Sequence, residues 1–556
     1  MENNIFYDNT EKAESSEAVL NGCAVDDFVY YVTRFKREVS KYASLDNIRK
    51  HIFSIDFLLA YYRDNPDTCA YIMQLREDIA NKKEVKEAKR ALKELDPANE
   101  VKASIIIENL LKVCEKQESG IGIISGKVYY YNGCYWEVLE EDFVKNYLAL
   151  IAEVSGVVHF QATKVKFMDL LYKQLFSEAG LPMPKETTDV KINLKNGTFK
   201  CHDGKFEICP FSIEDRLTYQ LSFEYDPNAK APKFLKFLDE VIPEKEARMV
   251  IAEYIAYIFA KHLRWEKCLV LLGSGANGKS VLLDIITALL GAHNVCHFSL
   301  SRLTDPNGYY RAELGKFLLN ACSEIGIKNS ESEMVKQLFS NDPVSARSPY
   351  ETPINVYNYC RFLFCANCIS NKDLEQSNGY FRKFMFLEFN PPVPAWKRNP
   401  NLAKEIIKEE LSGVFNWVLE GLQRILQEDK RGFTYSAHID RKTKEIEKNS
   451  NSVALFMDDF SYQPSSEKHM EAKSLYFEYK NYCEENRYGP ASKQEFLRRL
   501  EEQLHFTVKR KATNNSTWVY CVKVLRSEEE SDNSDIEIPD LVDSFVKKGI
   551  IKSHEE

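Results

Sequence analysis

The hydrophobic and polar positions fall into stretches of different texture along the chain. Up to about residue 118 helix formers dominate, and "KKEVKEAKRALKELDP" reads as a charged helix stopped by Asp96-Pro97. From Gly120 the texture becomes that of strands: "KVYYYNGCYWEV" sets two aromatic runs around Asn132-Gly133. "VKINLKNGTFKCHDGKFEI" repeats the device at Asn196-Gly197 and Asp203-Gly204. Such dipeptides between strands predict hairpins, because both turn residues must take positive φ. "YDPNAKAPKFLKFLDEVIP" then supplies turn residues and a helix start. It opens an α/β stretch that closes at the proline-rich "FNPPVPAWKRNPN". Helical "LAKEIIKEELSGVFNWVLEGLQRIL" follows. Two further helical windows come last, "AKSLYFEYKNYCEEN" and "SKQEFLRRLEEQL", then strand-like "FTVKRK" and "TWVYCVKV" around Asn514-Asn515. Ser492 and Glu495 form an S-x-x-E capping box for the second of these helices.

This pattern predicts a helical accessory region over 1–118, a small α+β domain over 119–228 and an α/β domain over 233–395. A helical connector is expected over 396–450, a compact helix-helix-hairpin unit over 452–525 and an acidic tail over 526–556. The order of the last folded unit is that of a winged helix. Its second helix carries Lys493, Arg498 and Arg499, and its hairpin Lys509, Arg510 and Lys511. These charges fit a solvated face as well as a helix and wing that contact DNA.

A length of 556 residues implies several cores, and 44% hydrophobic with 12% aromatic residues excludes wholesale disorder. The formal charge of -9 means that any nucleic-acid contact must come from local basic strips. No apolar stretch approaches a membrane span; "RMVIAEYIAYIFA" and "SVLLDIITALLGA" carry Glu253 and Asp284 and read as core helices. Fourteen cysteines without regular spacing, and no signal peptide, fit reduced thiols and a cytoplasmic protein. The one C-x-x-C, Cys365 with Cys368, supplies two of the four ligands that zinc needs.

The chemistry centres on "GSGANGKS", Gly273, Ser274, Gly275, Ala276, Asn277, Gly278, Lys279 and Ser280, which matches G-x-x-x-x-G-K-[ST] between an apolar strand and an amphipathic helix. Glycines let backbone N–H groups curl around phosphates, and the helix N-terminus adds partial positive charge. Lys279 would reach the β and γ phosphates of ATP, and Ser280 would ligate Mg²⁺. Such a site also needs an acid at a nearby strand end. "GKFLLNACSEIG" offers Glu324, beside Mg²⁺ and the attacking water. "CRFLFCAN" ends at Asn367, an amide able to orient water, and "GYFRKFMFLEF" carries Arg382, able to reach a neighbouring subunit's nucleotide as an arginine finger.

The ordered set "GSGANGKS", "LLNACSE", "VKQLFSNDPVSARSPYE", "FLFCAN" and "FRKFMFLEF" resembles superfamily 3 helicases of the phage and plasmid primase-helicase family, which includes poxvirus-type primase-helicases. "INLKNGTFK" and "LYFEYKNYCEENRYGPASKQEFLRRL" extend the likeness to roughly residues 120–525. The resemblance implies a multidomain α/β chain: a P-loop, AAA+-like helicase core, a small α+β domain before it and a winged helix after it. It further implies a homo-hexameric ring that hydrolyses ATP between subunits and translocates on single-stranded or forked DNA, with no membrane partner. Arg347 and Lys336 are then candidates for phosphate contact near a pore hairpin. Two departures stand out: "SPYETP" follows Arg347 where relatives often carry a Lys, and one acid, Glu324, stands where many relatives have two. The first 118 residues hold no D-x-D strand or Cys/His cluster, so primase activity is not expected, and replication partners could dock there. The alternatives are an ATP-switched replication initiator without processive unwinding and a P-loop enzyme, such as a small-molecule kinase, that ignores DNA.

Overall fold

The computed structural model describes residues 42–124, 126–181, 188–202, 204–323, 332–348, 352–367, 381–390, 398–486, 488–510 and 517–524, together with Val39, Pro394 and Trp396. The described residues up to Thr443 form one compact unit and those from Lys444 a second.

The described residues of the first unit include two hydrophobic clusters. One gathers Leu45, Ile106, Leu110, Tyr147, Leu148 and Leu171 from the helices Ala43–Lys50, Asn99–Lys116, Glu141–Val154 and Val165–Glu178. It is covered by a three-stranded antiparallel sheet of β1 (Ile121–Ile124), β2 (Lys127–Tyr131) and β3 (Trp136–Val138). The β2–β3 connection spans four residues, since Tyr131 pairs with Trp136. Within it Gly133 takes φ +97, and the Asn132 carboxamide oxygen accepts from the Cys134 and Tyr135 amides at 2.9 Å each.

A second antiparallel sheet, β4 (Val190–Leu194), β5 (Gly197–His202) and β6 (Lys205–Cys209), sends Ile192, Leu194 and Phe199 into the other cluster. The stretch 119–228 thus divides its apolar side chains between two cores. Leu194 pairs with Gly197, so the turn residues are Lys195 and Asn196, one position earlier than the Asn196-Gly197 expected. The reason is tertiary. The Asn196 carboxamide is committed to the Tyr225 backbone, accepting from its N–H and donating to its carbonyl, both at 2.9 Å.

The larger cluster packs on one face of a parallel sheet of β7 (Cys268–Leu272), β8 (Val295–Cys296), β9 (Leu319–Cys322), β12 (Arg361–Ala366) and β13 (Phe384–Glu388), in the order β13-β7-β12-β9-β8. β7 and β12 are buried throughout, which explains their uninterrupted apolar runs: a parallel strand covered on both faces has no polar side to alternate with. A separate antiparallel pair, β10 (Val344–Ala346) and β11 (Ile354–Val356), lies between β9 and β12 in sequence. The helices Pro232–Val241, Lys245–Phe259, Lys279–Leu290 and Leu411–Ile425 contribute Phe234, Ile251, Leu282, Ile285 and Phe415 to the same core. Lys245–Phe259 and Leu411–Ile425 touch backbone to backbone at Gly421, where a Cβ would stand 2.5 Å from the Ala252 carbonyl carbon. Beside that contact the fully buried Glu253 accepts from Arg424 Nε at 2.9 Å and from the Thr434 amide at 2.7 Å.

The second unit packs Phe456, Leu475, Tyr479, Phe496 and Leu500 from the helices Ser452–Asp459, Ala472–Glu485 and Lys493–Glu502. These lie against Val519 and Cys521 of a sheet made by β14 (Tyr462–Pro464), β15 (Met470–Glu471), β16 (Thr507–Arg510) and β17 (Thr517–Lys523). β14, β15 and β16 all pair with β17, antiparallel. The short β14 and β15 carry no sequence signal of their own; β17 recruits them. Ser492 caps the last helix, its hydroxyl accepting from the Glu495 amide at 3.3 Å. The chain is therefore a mixed α/β, multidomain protein built around a parallel sheet. Among the described residues no helix is long and apolar enough to cross a membrane.

Candidate functional site

The parallel register delivers Gly273 to the C-terminal edge of the sheet, where ligands gather in open α/β folds because helix N-termini converge there. β7 lies between β12 and β13, with Leu272 opposite both Ala366 and Glu388. The Gly273 amide donates to the Ala366 carbonyl at 3.2 Å, and the Phe389 amide to the Leu272 carbonyl at 2.9 Å. Beyond this anchor Gly275, Ala276 and Gly278 all take positive φ, at +98, +50 and +95. These left-handed conformations curl the backbone into a nest that ends at the first turn of the helix Lys279–Leu290. Gly278 has a second reason to be glycine: a Cβ there would stand 2.8 Å from the Phe237 ring, so the helix Pro232–Val241 walls the loop from behind.

Lys279 is buried, and its Nζ donates to the Gly273 carbonyl at 2.5 Å and to Asn277 Oδ1 at 3.1 Å. Burial holds its pKa below the ordinary lysine value. Asn277 is 2% exposed, and its Nδ2 has no hydrogen-bond partner. An orphaned buried donor, an ammonium bonded within its own loop and a backbone nest together make a donor set that fits a phosphate chain. Ser274, Ala276 and Ser280 are exposed around the nest.

Asn367 is brought to this loop, directly after β12 and next to the Ala366 carbonyl that anchors Gly273. Glu324 lies outside the described residues; its strand, β9, ends at Cys322 beside Phe364 of β12. Arg382 is not brought to the loop. It precedes β13, whose first residue, Phe384, pairs with Cys268, the first of β7, so Arg382 stands at the N-terminal edge of the sheet. At roughly 3.3 Å per strand residue, that edge is about 15–20 Å from the loop. There the guanidinium is 70% exposed, 3.9 Å from the Glu266 carboxylate, while the Arg382 carbonyl accepts from Lys267 Nζ. The neighbouring Lys383 is buried, bonded to Glu266 Oε2 at 2.8 Å and to Ser340 Oγ.

The candidate DNA contacts scatter. Lys336 is half-buried on the helix Ser332–Ser340. Arg347 follows β10 with its guanidinium 5.5 Å from the centroid of the Tyr309 ring. β10 is tied to the preceding chain by Arg311, which the sequence reading missed. It is 3% exposed and donates to the carbonyls of Ser345 (2.8 Å), Leu303 and Asp305 (2.7 Å each). Two of its acceptors lie six and eight residues before it, and the third, Ser345 of β10, lies 34 residues after it, which no local pattern announces. In the second unit Lys493, Lys509 and Arg510 are exposed, and Lys511 lies outside the described residues. Arg498 and Arg499 are paired: Glu495 accepts from both at 2.7–2.9 Å, and Arg498 also reaches Glu502 at 3.2 Å.

Known proteins match the chain in the order of these parts. The family described as "D5 N terminal like" matches residues 115–243, and a "Family of unknown function (DUF5906)" matches 271–382, from β7 to Arg382. "Putative helicase L207/L206" of Acanthamoeba polyphaga mimivirus is 26% identical over 252 residues. These matches support a relationship to the phage-type primase-helicase family. Within that family, "Putative primase C962R" of African swine fever virus (strain Badajoz 1971 Vero-adapted) is 34% identical over 71 residues. The matched segments are 44% and 13% of this chain, but 26% and 7% of those two relatives, so the chain spans only part of their length. Among solved structures, the apo C-terminal region of NrS-1 is similar over 74% of this chain and 98% of that one, with 12% identity and a TM-score of 0.43. The curated relatives named here are viral proteins described as a helicase and a primase.

Proposed function

We propose that this chain is an ATP-driven DNA helicase that hydrolyses ATP between subunits of a hexameric ring during replication of a phage, plasmid or related element. One observation carries the reading: the Gly273–Ser280 nest and Asn367 share one edge of the sheet, and Arg382 occupies the other. A finger at that edge cannot serve its own loop but can serve the next subunit's.

In this reading the amides of the nest and the Asn277 carboxamide donate to phosphate oxygens, and Lys279 leaves the Gly273 carbonyl for the β and γ phosphates. The Ser280 hydroxyl and Glu324 would hold the metal, and Glu324 would accept the proton of the attacking water that Asn367 would orient. Mg²⁺, arriving with ATP, supplies neutralisation of the phosphate charge. Arg382 of the adjacent subunit meets the charge that develops in the transition state. The second unit acts as a winged helix, and primer synthesis is left to another protein.

The test is a forked DNA duplex with one labelled strand. ATP-dependent release of that strand is the expected result. Hydrolysis stimulated by DNA without any release would replace the helicase with an ATP-switched initiator, and hydrolysis indifferent to DNA would remove DNA from the function altogether.

A further inference from the structure

The turn that leads into β7 is pinned at several points. The Trp265 amide donates to the Tyr257 hydroxyl at 3.1 Å, and the Trp265 ring stacks on the Tyr257 ring with centroids 5.7 Å apart. The buried Arg361 guanidinium lies 3.8 Å from the centroid of the same Tyr257 ring and donates to the Leu263 carbonyl at 2.7 Å. Lys261 Nζ donates to the Asn358 carbonyl at 3.2 Å. On this fixed base Glu266 takes φ +56, a left-handed conformation that a glutamate adopts rarely. Such conformations persist where the surroundings impose them, and they cluster at sites that work.

Two cations meet the Glu266 carboxylate. Its Oε2 accepts from Lys383 Nζ at 2.8 Å and stands 3.9 Å from the Arg382 guanidinium. Lys383 is buried and donates as well to the Ser340 hydroxyl, while Lys267 Nζ donates to the Arg382 carbonyl. Lys383 thus fixes the carboxylate and Lys267 the Arg382 backbone, but the guanidinium itself is 70% exposed. The two ion pairs differ in strength. Removing one member of a buried pair is costly, whereas an exposed pair at this distance yields readily. Glu266 therefore grips Lys383 firmly and Arg382 loosely, as suits a holder whose guanidinium must leave for a phosphate.

We propose that Glu266 is a positioning residue for hydrolysis in the neighbouring subunit: fixed by Lys383, its carboxylate keeps the Arg382 guanidinium ready at the N-terminal edge of the sheet and yields it to the next subunit's triphosphate. This rests on the reading that Arg382 acts in trans, and adds to it a residue that touches neither nucleotide nor metal. A guanidinium without this holder has more conformations to search before it meets the developing charge. The loss then falls on kcat, because the loop that binds the subunit's own ATP lies at the opposite edge of the sheet.

The test is ATP hydrolysis by the full chain, with variants assayed alone and in equal mixtures. Glu266→Gln, which keeps an acceptor for Lys383, should lower kcat roughly tenfold with KM for ATP within about twofold. Mixed with Lys279→Ala it should regain activity, because the Lys279→Ala subunit brings an intact Glu266 and Arg382 to an intact loop. Mixed with Arg382→Ala it should not, since neither subunit then offers a positioned arginine. A thermal melt checks folding. If Glu266→Gln melts early, the Glu266→Gln, Lys383→Met pair, which strands neither charge, takes its place with the same outcomes expected. A kcat within twofold of wild type, a rise in KM with kcat unchanged, or any mixing pattern other than recovery with Lys279→Ala alone would overturn the proposal. Any of these sinks this inference alone if Lys279→Ala and Arg382→Ala still complement each other; failure of that control pair sinks action in trans, and this proposal with it.

Discussion

The ammonium of Lys279 is held by its own loop, on the Gly273 carbonyl and the Asn277 carboxamide, and burial lowers its pKa. Between that lowered value and the ordinary lysine value the unfolded chain binds more protons than the folded one. The sign follows: through this alkaline window a rise in pH favours the folded state, because the buried group sheds its charge. A triphosphate acts in the opposite sense by stabilising the ammonium. ATP binding in that window should therefore take up protons, seen as a buffer-dependent heat in calorimetric titrations, and Lys279→Met should abolish the dependence. Near neutral pH, Lys279→Ala should lower ATP hydrolysis at least about a hundredfold, the scale of one lost electrostatic contact to a transition state. At Gly278 both the positive φ that the loop requires and the Phe237 ring behind it favour glycine.

At the scale of elements, pattern alone located most of the working pieces. The apolar runs of β7, β9, β12 and β13, the helix after the glycine loop and the hairpin of β16 with β17 were all readable, because each depends on residues within one short window. The contacts that bind elements together were not. Glu253 looked like the polar exception in a core helix, and the structure shows it paired with Arg424 and Thr434 at the crossing of Lys245–Phe259 with Leu411–Ile425. Removing one member strands a buried charge: Arg424→Ala should destabilise the first unit by about 3–5 kcal/mol in denaturant unfolding. The double variant Glu253→Gln, Arg424→Met should recover much of that loss, since no full charge is left without a partner. Gly421→Ala should cost about 1–3 kcal/mol in the same assay by overpacking against the Ala252 backbone.

For the whole molecule the separation of Asn367 from Arg382 across the sheet has the widest consequence. If a finger acts only on the neighbouring loop, Lys279→Ala and Arg382→Ala proteins are each inactive. Mixed in equal amounts, they should place an intact loop against an intact arginine at about a quarter of their heterologous interfaces, with ATP hydrolysis recovered in proportion. Mixtures no more active than either protein alone would count against action in trans.

Strand periods, turn dipeptides and the strand-glycine-helix motif are local, so the sequence by itself identified the elements and the glycine loop and pointed to the family. Strand order, the edge of the sheet on which Arg382 stands and the reach of Arg311 to the Ser345 carbonyl depend on partners that no short window of sequence specifies. The hairpin dipeptide Asn196-Gly197 shows the boundary between the two. Its composition correctly announced a turn, but the turn's position was settled by Tyr225, far along the chain, which claimed the Asn196 carboxamide.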